Sequence, residues 1–266
     1  MSFRSIAITA AVSVTLFAIV DALLVRGLST DSRFWYNAVA RTALVAMVAL
    51  AAGLAAHRFG WWSEYVGRAW TLFFIEYAVL TVSEILRRGF PDAVLANQIC
   101  VVVANVAGIG AYVLMARSLA AAGLDFGTSR AGKAIVTAVA LVVAVALCYA
   151  PIVSGLQSLQ SPEPRPGDLV SPLADVITFA LVAPLLLTTF ALRGGQLFWI
   201  FGLLTTGTIG WMVNQGAGTL VSLAGGGDAA IRAGRMTGFA MACVFIAAAA
   251  LTQWLAAQRA ARQAPA

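Results

Sequence analysis

The sequence predicts an all-α integral membrane protein, a polytopic bundle of about eight transmembrane helices, with seven as the alternative count. Two observations carry this. Eight apolar stretches, each roughly 20 residues long, fill residues 5 to 258, and a hydrocarbon core about 30 Å thick is crossed by about 20 helical residues rising 1.5 Å each. The composition agrees: 61% of residues are hydrophobic, 11% are charged and the mean hydropathy is +0.89. Soluble domains carry about 25% charged residues.

The spans are expected near 5–26, 35–56, 68–87, 94–117, 131–155, 170–192, 196–222 and 231–257, forming a single transmembrane domain. The first follows Arg4 and is longer than the apolar core of a secretory signal, and it lacks a clear small-residue cleavage site, so it reads as an uncleaved span. The connector HRFGWWSEYVGR between spans two and three places Trp61, Trp62 and Trp70 where an interfacial aromatic belt is expected. The stretch from Gly155 to Ser171 has Pro162, Pro164 and Pro166 and is expected to be a loop without helix. Residues 122–130 and the GGGD at 225–228 read as further turns.

Basic residues sit singly or in pairs at span ends, where they anchor helices and set topology; the net charge of +6 is therefore no sign of nucleic-acid binding. With the N-terminus inside, nine of them fall on the inner side and eight on the outer. That margin, with the Ala- and Arg-rich composition, places the chain in a bacterial cytoplasmic membrane with both termini cytoplasmic. Membrane lipids and either a protein partner or a second copy of the chain are its expected partners.

Polar groups at membrane depth are costly and direct attention to a site. Glu76 lies eight residues beyond Arg68, about 12 Å along the helix and near mid-bilayer. Ser83 follows seven residues later on nearly the same face, and Gln98 and Asn105 repeat that spacing on the fourth span, with Asn97 alongside. These two polar seams are expected either to form a ligand, ion or proton site or to join the helices by hydrogen bonds. The seventh span contributes Asn214 and Gln215 among Thr205, Thr206, Thr208, Thr219 and four glycines, a pattern of tight packing or of a broken helix lining a cavity. Gly234, Gly238 and Ala242 give the last span a small-residue packing face.

Other charges have structural explanations. Glu84 precedes Arg87 and Arg88 by three and four residues, the spacing of a helix-surface ion pair. Asp21 has Arg26 close behind it. Ser171 and Pro172 read as the cap and first residue of the sixth span, which puts Asp175 in its first turn, favoured by the helix dipole. Arg41 is available to neutralise one of these acids.

Much chemistry is missing. His57 is the only histidine, so the chain builds neither a bis-histidine haem site nor a histidine-based zinc site. The only lysine, Lys133, begins span five, which excludes a retinal Schiff base deep in the final helix. Cys100, Cys148 and Cys243 lie in apolar runs and read as small hydrophobes. P-loops, G-x-S-x-G, H-E-x-x-H and paired aspartate-rich motifs do not occur.

From Pro172 to Gln215 the chain reads PLADVITFALVAPLLLTTFALRGGQLFWIFGLLTTGTIGWMVNQ: a proline and aspartate open a span, LRGG ends it and a tryptophan begins the next. This resembles the multi-pass membrane input regions of bacterial sensor histidine kinases and diguanylate cyclases, over roughly a third of the chain. Those regions often carry an acidic residue late in the tryptophan-led span, where this chain has Asn214. The resemblance implies a stand-alone relative acting through another protein and supplies no catalytic residues. The expected function is thus non-catalytic: a sensor-like or accessory subunit that binds a hydrophobic ligand or a protein partner. A small transporter or channel using Glu76 is the alternative. A lipid- or isoprenoid-modifying enzyme is a further one, favoured if carboxylates and amides cluster in one cavity near the headgroups.

Overall fold

A computed structural model describes residues 2–121, 129–191 and 195–263, with side chains for all of these except 25, 26, 186, 188–191 and 263. The described residues form eight helices and no strand. They are α1 (Phe3–Gly27), α2 (Thr30–Arg58), α3 (Tyr65–Gly89), α4 (Val94–Ala121), α5 (Arg130–Ser158), α6 (Pro166–Ala191), α7 (Gln196–Leu223) and α8 (Asp228–Gln263). All eight are long and apolar enough to cross a membrane. Most of the 122–130 turn and residues 192–194 of the LRGG segment lie outside the described residues.

The helices run further than hydropathy alone places them because capping groups sit outside the apolar runs. Ser2, Ser29 and Ser129 each accept a hydrogen bond from the backbone N–H three residues on, satisfying a donor that the first helical turn leaves unpaired. At the end of α7, Gly225 takes φ +73° so that Gly226 N–H reaches back to the Val221 carbonyl, a reversal that β-carbon sterics disfavour.

Helix α6 corrects the sequence reading most. It begins at Pro166, inside the segment expected to be a loop, leaving only residues 159–165 as the connector. Pro166 is the first helical residue, where a missing N–H costs nothing, and Asp168 occupies the first turn. Pro172 is therefore an interior proline. Asp175 lies nine residues past the start, about 13 Å into the bundle, rather than at the helix terminus.

Helix α8 is the axis of the bundle, packed against α7, α2 and α1. Of its most apolar window 61% is buried, against 17% for α1 and α5, whose outer faces present Ile8, Val12, Leu16, Val139 and Val142 to the surroundings. The small-residue face expected on α8 meets a matching face on α7: a β-carbon added at Gly238 would lie 2.5 Å from Asn214 N and 2.8 Å from Gly210 O. Helix α7 is continuous, so its glycines serve close packing and not a break. Thr205, Thr206 and Thr208 return hydrogen bonds to carbonyls four residues back.

Trp70 is not interfacial. It is fully buried against Phe73, with ring centroids 5.3 Å apart, whereas Trp62 is exposed as a belt residue should be. Phe73 in turn meets Tyr112 edge to face at 5.0 Å. With Met115, Ile200, Leu204 and Ile246, these rings fill the half of the bundle nearer the termini.

The packing yields a paired test. Gly238→Ala is expected to destabilise the protein by about 1–3 kcal/mol, the usual cost of overpacking a close contact. Gly202→Ala, where nothing lies within 4 Å of the added carbon, should be neutral or slightly stabilising. Equilibrium unfolding in mixed micelles reads the difference.

Candidate functional site: a polar central cavity

The other half of the bundle, towards the α3–α4, α5–α6 and α7–α8 connectors, is hollow. A cavity of about 690 Å³ lies among α2 to α8 and is lined largely by polar side chains. Its mouth is set by Arg87, Asn97, Asp168 and Arg235, all within about two turns of helix ends on that face. Its floor is set by Glu76, Asn105 and Trp211, each more than ten residues from those ends, so the cavity reaches about 16–20 Å into the bundle.

All six residues singled out in the sequence, Glu76, Ser83, Gln98, Asn105, Asn214 and Gln215, line this one cavity. The polar seams of α3 and α4 face each other across their shared contact: Ser83 donates to Asn97 Oδ1 at 2.6 Å. Gln98 does not bond to α3. Its Oε1 accepts the Gly167 N–H at 2.6 Å and so ties α4 to the first turn of α6, where another side chain at position 167 would collide with it. Asn105 donates to the Val101 carbonyl at 2.7 Å, which leaves its Oδ1 as an acceptor on the cavity wall.

Glu76 stands in this cavity without a partner. Its carboxylate lies against Gly108 of α4, occupying the space that a β-carbon there would take. No hydrogen bond or ion pair reaches it from the described residues, and its Oε2 is buried without a partner. A carboxylate in low dielectric with neither donor nor counter-ion is costly, which is why such groups concentrate at functional positions.

Asp175 joins it, a residue that sequence reasoning had placed in or near the first turn of its helix. It is 9% exposed, accepts from Gln215 Nε2 at 2.7 Å and lines the same cavity as Glu76. Gln215 also donates to Ser171 Oγ at 3.4 Å, so its own carbonyl oxygen is uncommitted. The only signal available in the sequence was Asp175 within an apolar run, and the apparent cap at Ser171–Pro172 gave it a bland explanation.

Glu84 is satisfied where Glu76 is not. Its two oxygens bind Arg41 Nε at 3.0 Å and Arg87 Nη2 at 2.7 Å. The expected i,i+3 pair with Arg87 forms, while Arg88 lies over the Phe34 ring instead, 4.9 Å from its centre. Arg41 supplies the long-range partner. Its guanidinium also sits 3.9 Å above the ring of Phe239, which packs edge to face on Trp211. Trp211 donates to Tyr77 Oη at 3.1 Å, and the Tyr112 and Thr208 hydroxyls pair at 2.9 Å. These aromatic residues seal the cavity floor from the opposite face.

The remaining candidates fall elsewhere. His57 is exposed at the end of α2. Asp21 is buried at 3% exposure and its Oδ1 has no hydrogen-bond partner among the described residues, while the Arg26 side chain lies outside them. The three cysteines are free thiols, and no group of three or more His, Cys, Asp or Glu side chains suited to a metal ion occurs among the described residues.

Comparison with protein-family models, curated proteins and solved structures finds no match for this chain.

The contrast between the two glutamates is measurable. Glu84→Gln strands the partly buried Arg41 and should cost about 3 kcal/mol, as when one member of a buried ion pair is removed. Glu76→Gln removes a charge that has no protein partner and is expected to leave unfolding unchanged or to raise stability. Parallel melting curves of the two variants in one detergent give the comparison.

Proposed function

We propose that this membrane protein binds a small polar or charged solute in its central cavity, entering from the connector face. The observation that carries this reading is Glu76, an unpaired carboxylate about 16 Å below the mouth of a polar cavity. A few convergent polar groups in one concave site are the usual mark of a small-molecule site, and 690 Å³ lies within the usual range of about 300–1,000 Å³. The lining favours a polar solute over the hydrophobic ligand expected from the sequence. The role is that of a sensor-like or accessory component in the bacterial cytoplasmic membrane, with both termini cytoplasmic and the cavity opening outward. This orientation rests on the basic residues at the helix ends.

Transport is the second reading, and Glu76 favours it as well, because an uncompensated carboxylate midway across a membrane suits proton or ion coupling. Enzymatic action on lipid gains from the clustering of carboxylates and amides, but Glu84 near the mouth is neutralised by two arginines and Glu76 lies far below the headgroups.

A thermal-shift screen of the purified protein tests the proposal, using polar solutes on one side and quinone, carotenoid and lipid on the other. A polar ligand at 100 times its Kd should stabilise the protein by about 2.7 kcal/mol, and Asp175→Asn should reduce this. Stabilisation by apolar compounds alone would overturn it. Uptake of that solute into liposomes, lost in Glu76→Gln, would assign transport; binding without uptake would assign sensing.

A further inference from the structure

The cavity carries opposite charge at two separate places, and both are incompletely satisfied. At the floor, Glu76 and Asp175 share a wall with Asn105 and Gln215; both N–H donors of Gln215 are committed, to Asp175 and Ser171, and one of the two on Asn105 is committed to Val101. The side chains lining the cavity there are rich in acceptors, with two carboxylates and two carboxamides. Such a set suits a compact group that offers several donors and a positive charge, which describes a primary ammonium with its three N–H bonds.

Arg41 of α2 lines the same cavity. Its Nε is fixed by Glu84 and its guanidinium plane by the Phe239 ring, and its side chain is only 22% exposed. The two terminal nitrogens have no partner among the described residues and border the cavity. A guanidinium held in this way presents a planar pair of donors matched to a carboxylate. The exposed side chains of Arg87 and Arg235 flank the mouth, the latter lying over Gly218, and they draw anions inward.

From this division we infer that the solute is an amino-carboxylate zwitterion. Its ammonium is bound by Glu76 and Asp175 and its carboxylate by Arg41. The inference rests on the solute-binding reading and names the class of solute. A bare cation would answer the floor and leave Arg41 unfilled. An anion would answer Arg41 and face the two carboxylates. A molecule carrying both charges complements both places and enters as a neutral whole, which lowers the cost of bringing charge to membrane depth.

The probes are ω-amino carboxylates from glycine through 4-aminobutyrate to 6-aminohexanoate, with n-butylamine and butyrate as one-ended analogues. Binding is measured by calorimetry on the full-length protein in detergent. At least one zwitterion should bind about tenfold or more tightly than either one-ended analogue, with an optimum length that reports the spacing of the two places. Glu76→Gln should weaken that zwitterion and n-butylamine about tenfold or more while leaving butyrate unchanged. Arg41→Lys, which keeps the charge and its pairing with Glu84 but loses the planar fork, should weaken the zwitterion and butyrate while sparing n-butylamine. Melting temperatures near that of the parent protein establish that both variants are folded.

Equal affinity for n-butylamine and the zwitterions would overturn the inference in favour of a cation site, and equal affinity for butyrate would overturn it in favour of an anion site. If sugars or other uncharged solutes stabilise the protein while the whole series fails to bind, the zwitterion is excluded and solute binding stands. If no polar solute binds, both fall.

Discussion

Charge inside a low-dielectric bundle must be neutralised, bonded or exposed to a water-filled space, and this requirement organises the molecule. Glu84 meets it with two arginines, and Arg41 thereby links α2 to α3 and, through Phe239, to α8. Gln98 meets it by capping the first turn of α6, and Asp175 by pairing with Gln215 across α6 and α7. Each solution joins two helices and involves residues that line the same interior space. Glu76 alone among these acids receives nothing from the protein. The cavity is where the bundle's polar groups face one another, and Glu76 is the part of that account left without a partner.

Packing explains why the hollow occupies one half only. Toward the termini, alanines and aromatic rings interlock: Ala52, Ala55, Ala56, Ala69, Trp70, Phe73 and Ala111 are all essentially inaccessible. Close helix approach there leaves no room between side chains. Toward the connectors, α7 and α8 still touch through Gly210 and Gly238, and α5 meets α6 where Gly155 lies against the Leu169 backbone. Between these two tight seams stand longer polar side chains and the prolines Pro151 and Pro172, which line the cavity. Two close contacts at its sides hold the wall in place, and the Trp211–Tyr77 hydrogen bond crosses its floor.

The candidate site was legible to the extent that helical periodicity carries it. Seven-residue spacing put Glu76 with Ser83 and Gln98 with Asn105 on common faces, and those faces meet the same space as Asn214 and Gln215. Asp175 was hidden because a serine–proline pair in the sequence looks the same at a helix start and inside a helix that began six residues earlier. The pairing of Arg41 with Glu84 was hidden because the two are 43 residues apart and several acids were equally available to it. Trp70 shows the same limitation: a tryptophan near a span end has interfacial composition, yet packing within the bundle buries it completely.

The amino-acid sequence by itself determined that the described residues form helices, eight of them long and apolar enough to cross a membrane, and no strand, because transfer into hydrocarbon is a sum over consecutive side chains and backbone satisfaction in lipid is met within each helix. It also determined the absence of paired histidines and of a deep lysine, since no fold supplies residues the chain lacks. The tertiary structure decided which acids are neutralised and which are left unpaired, where the bundle is solid and where it is hollow, and that six polar residues from three helices surround one cavity. Those outcomes depend on side chains brought together across the bundle, and distances between helices are set by the small residues at each contact rather than by any local run of sequence.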